Sequence, residues 1–313
     1  MRLFIKSVLF FALPIILIGL TLEILLRQIP NDYTFKRDGL YKHADSMQVL
    51  FLGSSHAFYG INPTYTHLKS FNAGYISQSL KYDAEILNRY IDNLKELKYV
   101  AVPISYFTLF TNLESGSEAW RSKNYTIYYK FHTSNKITDY SEILGSKFDI
   151  NLKRFLSYYI SAHSAITCSE LGWGTSYQSK NSRDLEETGL EAAKRHTVKN
   201  LSDKDNVAIY NENIAMLDKI ITLAKKKDVK VVFYTPPAYI SYIQKLNDEQ
   251  LTKTISTIEK LTEKHNNTIY LNFLKDSSFI KSDFYDADHL NEIGAEKFTK
   301  MLDSIIVNDP KTY

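Results

Sequence analysis

The sequence predicts an α/β fold, a three-layer sandwich with a parallel sheet of about five strands, preceded by an N-terminal transmembrane helix. Three observations lead there. Short apolar runs at 47–52 (MQVLFL), 99–104 (YVAVPI), 229–234 (VKVVFY) and 268–273 (TIYLNF) lack the alternation of a half-exposed strand and read as strands buried on both faces. Helical patterns alternate with them, at 80–94, 208–226, 248–264 and 292–307, and strand alternating with helix builds a sandwich. The first thirty residues resemble neither pattern.

From Ser7 to Leu22 the chain carries no charge, and with Glu23 at the interface the run extends to Leu26. About twenty apolar residues span a bilayer as a helix, and membrane helices accept Pro14 and Gly19. A cleaved signal peptide needs a small-residue site, which Leu25-Leu26-Arg27-Gln28-Ile29 does not offer. Residues 1–28 are therefore expected to be an uncleaved anchor. Arg2 and Lys6 precede it and Arg27, Lys36, Arg37 and Lys42 follow it, so charge does not set its orientation.

The remainder, 29–313, is long enough for one large domain. A short strand within 67–73 would give the fifth member of the sheet, and Asn291 is placed to cap the last helix. The rhythm breaks at about 112–201, which is rich in Ser, Tyr and Asn with helix-like stretches at 151–166 and 185–198, and is expected to be an insertion or lid. With 44% hydrophobic and 23% charged residues, the chain is not disordered, collagen-like or a multi-span membrane protein. Without its first 27 residues, which hold Arg2, Lys6, Arg27 and Glu23, the net charge falls from +3 to +1, too little excess for a nucleic-acid binder. Cys168 has no disulfide partner and reads as a small buried hydrophobe, and no Cys/His spacing implies a metal or other cofactor. The 23 tyrosines fit a carbohydrate-facing surface or core and insert packing.

Two segments carry chemistry. VLFLGSSHAFYGINP, residues 49–63, ends a strand at Gly53 and presents Ser55 where open α/β sheets bind ligands, beyond the carboxyl ends of the strands. A solvated turn with capping serines would read the same way. In SDFYDADHLNEIGAEKF, residues 282–298, Asp286 lies three residues before His289, so its carboxylate can accept from Nδ1 and leave Nε2 to act as a base toward a serine. Asp288, adjacent to the histidine, is less able to face that ring edge. Loop solvation and capping is the alternative. His43, His67, His132, His163, His196 and His265 sit in no ligand spacing and read as surface or packing residues.

Together the two segments resemble the first and last sequence blocks of the SGNH (GDSL) hydrolase superfamily, whose flavodoxin-like sandwich matches the expected fold. The resemblance implies Ser55 as nucleophile, His289 as base and Asp286 as its orienting acid. SFNAGYISQSL, residues 70–80, resembles the block whose glycine amide serves the oxyanion hole, which implies Gly74 beside the Ser55 amide. Ser54, His56 and Asn72 become candidates to line the site. The third block should read Gly-x-Asn-Asp, but the chain has AVPISYFTLF from Ala101, leaving Ser105 or Tyr106 as substitute donors. This departure, with Gly-Ser-Ser and an anchor, is similar to the surface-polymer acylation branch that contains alginate O-acetylation and teichoic-acid D-alanylation proteins. That likeness implies a single-pass protein of the bacterial cytoplasmic membrane with its domain outside the cytoplasm, acting as acyltransferase or esterase on a cell-surface polysaccharide or acylated glycan beside a multi-span membrane O-acyltransferase. The alternative is a non-catalytic accessory protein on the same scaffold. A nucleotide-binding flavodoxin-like domain lacks its Gly-x-Gly-x-x-Gly.

Overall fold

A computed structural model describes residues 1–308, with the backbone alone at 2 and 3. The last five residues of the expected 29–313 domain lie outside the described residues. The chain forms two compact units, one of residues 1–37 with 117–166, the other of 38–116 with the chain from 167 onward. Relative to the division read from sequence, residues 29–37 fall with the apolar helix and 167–201 with the sheet.

In the larger unit, β1 (Val49–Phe51), β2 (Ser70–Asn72), β3 (Tyr99–Pro103), β4 (Lys230–Thr235) and β5 (Thr268–Asn272) form one parallel sheet in the order β2-β1-β3-β4-β5. The order turns back at β1, which creates a crevice beyond the carboxyl ends of β1 and β3 where ligands bind in such sheets. All residues of β1 and β3 are buried, as the apolar runs require. After α2 (Asp32–Lys42), the helices of six or more residues in this unit are α3 (Ser55–Gly60), α4 (Leu80–Tyr90), α6 (Leu185–His196), α7 (Lys204–Lys226), α8 (Asp248–Lys264) and α9 (Glu292–Val307). On one sheet face Val49, Phe51, Tyr99, Ala101, Val232 and Tyr234 pack with Phe298, Leu302 and Ile306 of α9. The alternate residues Leu50, Val100, Val231 and Phe233 are equally buried, and α4 packs against α7. Asn291 caps α9, its side chain accepting from the amides of Ile293 and Gly294.

Sequence periodicity did not announce a small antiparallel hairpin, β6 (Phe284–Asp286) and β7 (His289–Leu290), just before α9. It is too short to show alternation. Cys168, expected to be a small buried hydrophobe, is half-buried at an isolated bridge with Gly174.

In the smaller unit, α1 (Arg2–Gln28) is a continuous helix about 40 Å long, enough to cross a bilayer core by length and composition. Its Glu23 accepts from Arg27 Nε at 2.6 Å, from Ser141 Oγ at 2.8 Å and from the amides of Glu142 and Ile143 at 3.0 and 3.1 Å. The only long helix of the 117–166 segment, α5 (Phe148–Tyr159), lies beside α1. A buried polar cluster lies against it: the carboxylate of Glu142, itself fully buried, takes Lys123 Nζ, Arg154 Nη1 at 2.8 Å and the Tyr128 hydroxyl at 2.5 Å.

Candidate active site

β1 delivers the chain to Gly53, whose φ of +113° suits only glycine, and a Cβ there would lie 2.3 Å from Pro103 Cγ. This turn swings Ser54 into extended backbone and opens α3 at Ser55. The turn is held from both sides. The Gly53 amide donates to Asp83 Oδ1 at 2.8 Å, and its carbonyl accepts from the Tyr75 amide at 2.9 Å. Gln78 Nε2 donates to the same Asp83 oxygen at 2.7 Å. Burial lifts the Asp83 carboxyl to about 7, although both of these hydrogen bonds act to lower it.

The hairpin delivers the second half of the site. Ser55 Oγ lies 2.8 Å from His289 Nε2, and His289 Nδ1 lies 2.9 Å from Asp286 Oδ1. Asp286 and His289 are cross-strand partners, which explains why a three-residue spacing places carboxylate and ring edge together. Asp286 Oδ1 also accepts the amides of Asp288 and His289, at 3.2 and 2.9 Å, which fixes the turn.

Asp288 is the residue that spacing undervalued. Its Oδ1 lies 3.4 Å from His289 Nδ1, and its Oδ2 faces His56 Nε2 at 3.6 Å, His196 Nδ1 at 3.7 Å and Arg195 Nη2 at 3.8 Å. The two-residue turn lets both carboxylates flank one imidazole. Burial pulls His289 toward its neutral form, but Asp286 and Asp288 outweigh it and lift its pKa to about 10. Burial would raise Asp288, yet His289 holds it well below the usual carboxylate range. Burial lowers His56, and it takes His196 down to about 3.

The remaining candidates divide. His56 is buried in the site, its Nδ1 2.5 Å from Ser105 Oγ, while its Nε2 and Asp288 Oδ2 have no hydrogen-bond partner among the described residues. Ser105 thus joins the network through His56. Tyr106 does not: its hydroxyl lies 3.0 Å from Thr197 Oγ1 and accepts from the Asn247 amide at 3.1 Å. Asn72 is a strut rather than a lining residue. Fully buried, it donates to the carbonyls of Ala57 and Ile61 at 2.7 and 2.8 Å and accepts the Gly74 amide at 3.0 Å. Gly74 therefore stands beside the nucleophile turn, with Gly53 O 2.9 Å from where its Cβ would be, but its amide is engaged instead of open to an oxyanion. Ser54, mostly buried, accepts the amides of Ala57 and Phe58 on its carbonyl.

Sequence reasoning also missed His196 and an aromatic wall. Tyr177 stacks between Tyr59 and Tyr285 at ring separations of 3.6 and 3.8 Å, and meets His289 edge-on at 5.4 Å. No local pattern marks these residues, which come from four separate segments. Ser55, His56, Tyr59, Pro236, Asp288 and His289 line a narrow cleft. His56, Asp288 and His289 each offer a ligand atom within 4.8 Å of the others. An ion held there would take His289 from Ser55 or from Asp286, so the donor set fits a hydrogen-bonded relay better than a metal centre.

Residues 70–305 match the model of a protein family described as "Protein of unknown function (DUF1574)". The chain belongs to the DUF1574 family. No curated protein matches it. Among solved structures, this DUF1574 protein is similar to the Streptococcus pneumonia protein described as a "putative platelet activating factor", with TM-score 0.42 and 11% identity over 94% of this chain and 99% of that one. It is also similar to a Bacteroides fragilis NCTC 9343 protein described as a "putative acylhydrolase", with TM-score 0.38 and 9% identity over 83% and 88% of the two chains.

Proposed function

We propose that the protein is a membrane-anchored SGNH-type serine esterase or acyltransferase that acts on an acylated cell-surface glycan outside the cytoplasmic membrane. The observation that carries this reading is the alignment of Ser55 Oγ, His289 and Asp286 at 2.8 and 2.9 Å, joined from segments more than two hundred residues apart.

In this reading neutral His289 takes the Ser55 proton as Oγ attacks an acyl carbonyl, and Asp286 with Asp288 stabilises the imidazolium that forms. Collapse of the tetrahedral intermediate returns that proton to the leaving alkoxide and leaves an acyl-serine. Water or a sugar hydroxyl, deprotonated by His289, then resolves the ester. The Ser55 amide, at the start of α3, supplies one oxyanion donor. Gly74 joins it only on release from Asn72, so the resting oxyanion hole is sparse, and a substrate or a multi-span acyltransferase partner that opens this turn completes it.

The test is release of acyl groups from O-acetylated glycans by the purified full chain. Activity lost in Ser55→Ala supports the reading; activity equal in wild type and Ser55→Ala overturns it.

A further inference from the structure

Helix α5 is inside out. Its Asn151 is buried, donating to the Glu142 carbonyl at 2.8 Å, and its Arg154 is turned inward to the Glu142 carboxylate. Phe148, Leu152, Leu156 and Tyr159, at i, i+4, i+8 and i+11, form one stripe on the opposite flank, continued by Ile160. These are 79%, 43%, 45%, 37% and 73% exposed. A helix facing water would bury this stripe and expose the polar flank, and a contiguous exposed apolar face marks an interaction surface.

What covers the stripe is indicated by where it is tied. The Tyr159 hydroxyl donates to the Leu25 carbonyl at 2.9 Å, Arg27 Nη2 donates to the Tyr140 carbonyl at 2.5 Å, and Glu23 receives residues 141–143. All these contacts lie on the last turns of α1, where its apolar run ends in the Glu23–Arg27 pair. The linking segment adds exposed Ile137, Tyr140 and Leu144. Lys147, just before this helix, and Lys153 on it are exposed and suit anionic headgroups.

We infer that α5 is an interfacial membrane helix, lying with Phe148, Leu152, Leu156 and Ile160 in the headgroup–acyl boundary beside the exit of α1. The inference rests on α1 spanning the bilayer. The occupant is lipid rather than protein, because the stripe is continuous with the end of the lipid-facing helix and the flanking tyrosines and lysines are those of a membrane interface.

The test uses the full chain with Cys168→Ser as background and single fluorophore-labelled cysteines at Leu17→Cys, Leu152→Cys, Leu156→Cys and Ser157→Cys. Each is reconstituted in phosphatidylethanolamine–phosphatidylglycerol vesicles with shallow or deep lipid-borne quenchers. Position 17 is expected to respond to deep quenchers, and positions 152 and 156 to shallow ones several-fold more than 157, which faces away from the stripe. Quenching at 17 with 152 and 156 no different from 157 overturns the inference and leaves the anchor standing. No quenching at 17 removes the anchor reading and the inference with it. Energy transfer between labelled copies at 156 in place of lipid quenching gives the face to a second copy and also overturns the inference.

Discussion

The Gly53 amide donates to Asp83 Oδ1 across 2.8 Å, tying the turn that presents Ser55 to the first turn of a helix thirty residues on. The carboxyl is buried without a cation among its named partners, and desolvation lifts it to about 7. An acid whose folded pKa is raised binds more protons in the folded than in the unfolded state, so stability falls as pH rises from about 4 to about 7. Asp83→Asn keeps an oxygen for Gly53 and Gln78 and removes the titration. Thermal melts from pH 4 to 8 are expected to lose this slope in the variant, with the melting temperature at pH 8 at or above that of the wild type.

Gly53 itself tolerates no side chain. Gly53→Ala places a Cβ 2.3 Å from Pro103 Cγ at a positive φ, combining backbone strain with overpacking at about 2–4 kcal/mol. Urea denaturation is expected to show a lowered midpoint.

Asp286 and Asp288 have separable effects. Both carboxylates raise His289, and a general base must be neutral to act. The rate is therefore expected to climb with pH well above 7. Asp288→Asn removes one of the charges, so the acid limb of the kcat/KM profile moves to lower pH. Asp286→Asn loses the close acceptor at Nδ1 and is expected to lower kcat by about three to four orders of magnitude. Paired pH–rate profiles read both outcomes.

Asn72 serves as a strut. Asn72→Ala strips the Ile61 carbonyl of its donor and the Gly74 amide of its acceptor, and leaves the Ala57 carbonyl with the Ile61 amide alone, a loss of about 2–4 kcal/mol. A fall in denaturation midpoint checks this.

Residues whose partners are local or periodic were legible in the sequence. The five strands, α8 and α9, and the Asn291 cap follow from apolar runs, helical spacing and capping chemistry that act within a few residues. Ser55, Asp286 and His289 came from motif order, and their meeting needs only that both segments end at one edge of a parallel sheet. For Tyr106 and Gly74 the sequence is silent on competing partners, because a residue's type does not reveal them: the Tyr106 hydroxyl is engaged by Thr197 and Asn247, and the Gly74 amide by Asn72. The weak reading of Asp288, and of His196 as a surface or packing residue, has a related cause. Their roles arise where a two-residue hairpin turn meets the end of α6, and no sequence period records that meeting.

The most direct test of the Ser55–His289 relay is labelling of the purified full chain by a fluorophosphonate, with the adduct mapped by mass spectrometry. The reagent phosphonylates a hydroxyl only where a base removes its proton and donors receive the developing oxyanion. A single adduct at Ser55 is predicted, forming slowly because Gly74 is engaged in the resting state, absent from Ser55→Ala and slowed by orders of magnitude in His289→Ala. A wild-type chain that takes no label at Ser55, or takes it equally well with His289→Ala, would contradict the catalytic account.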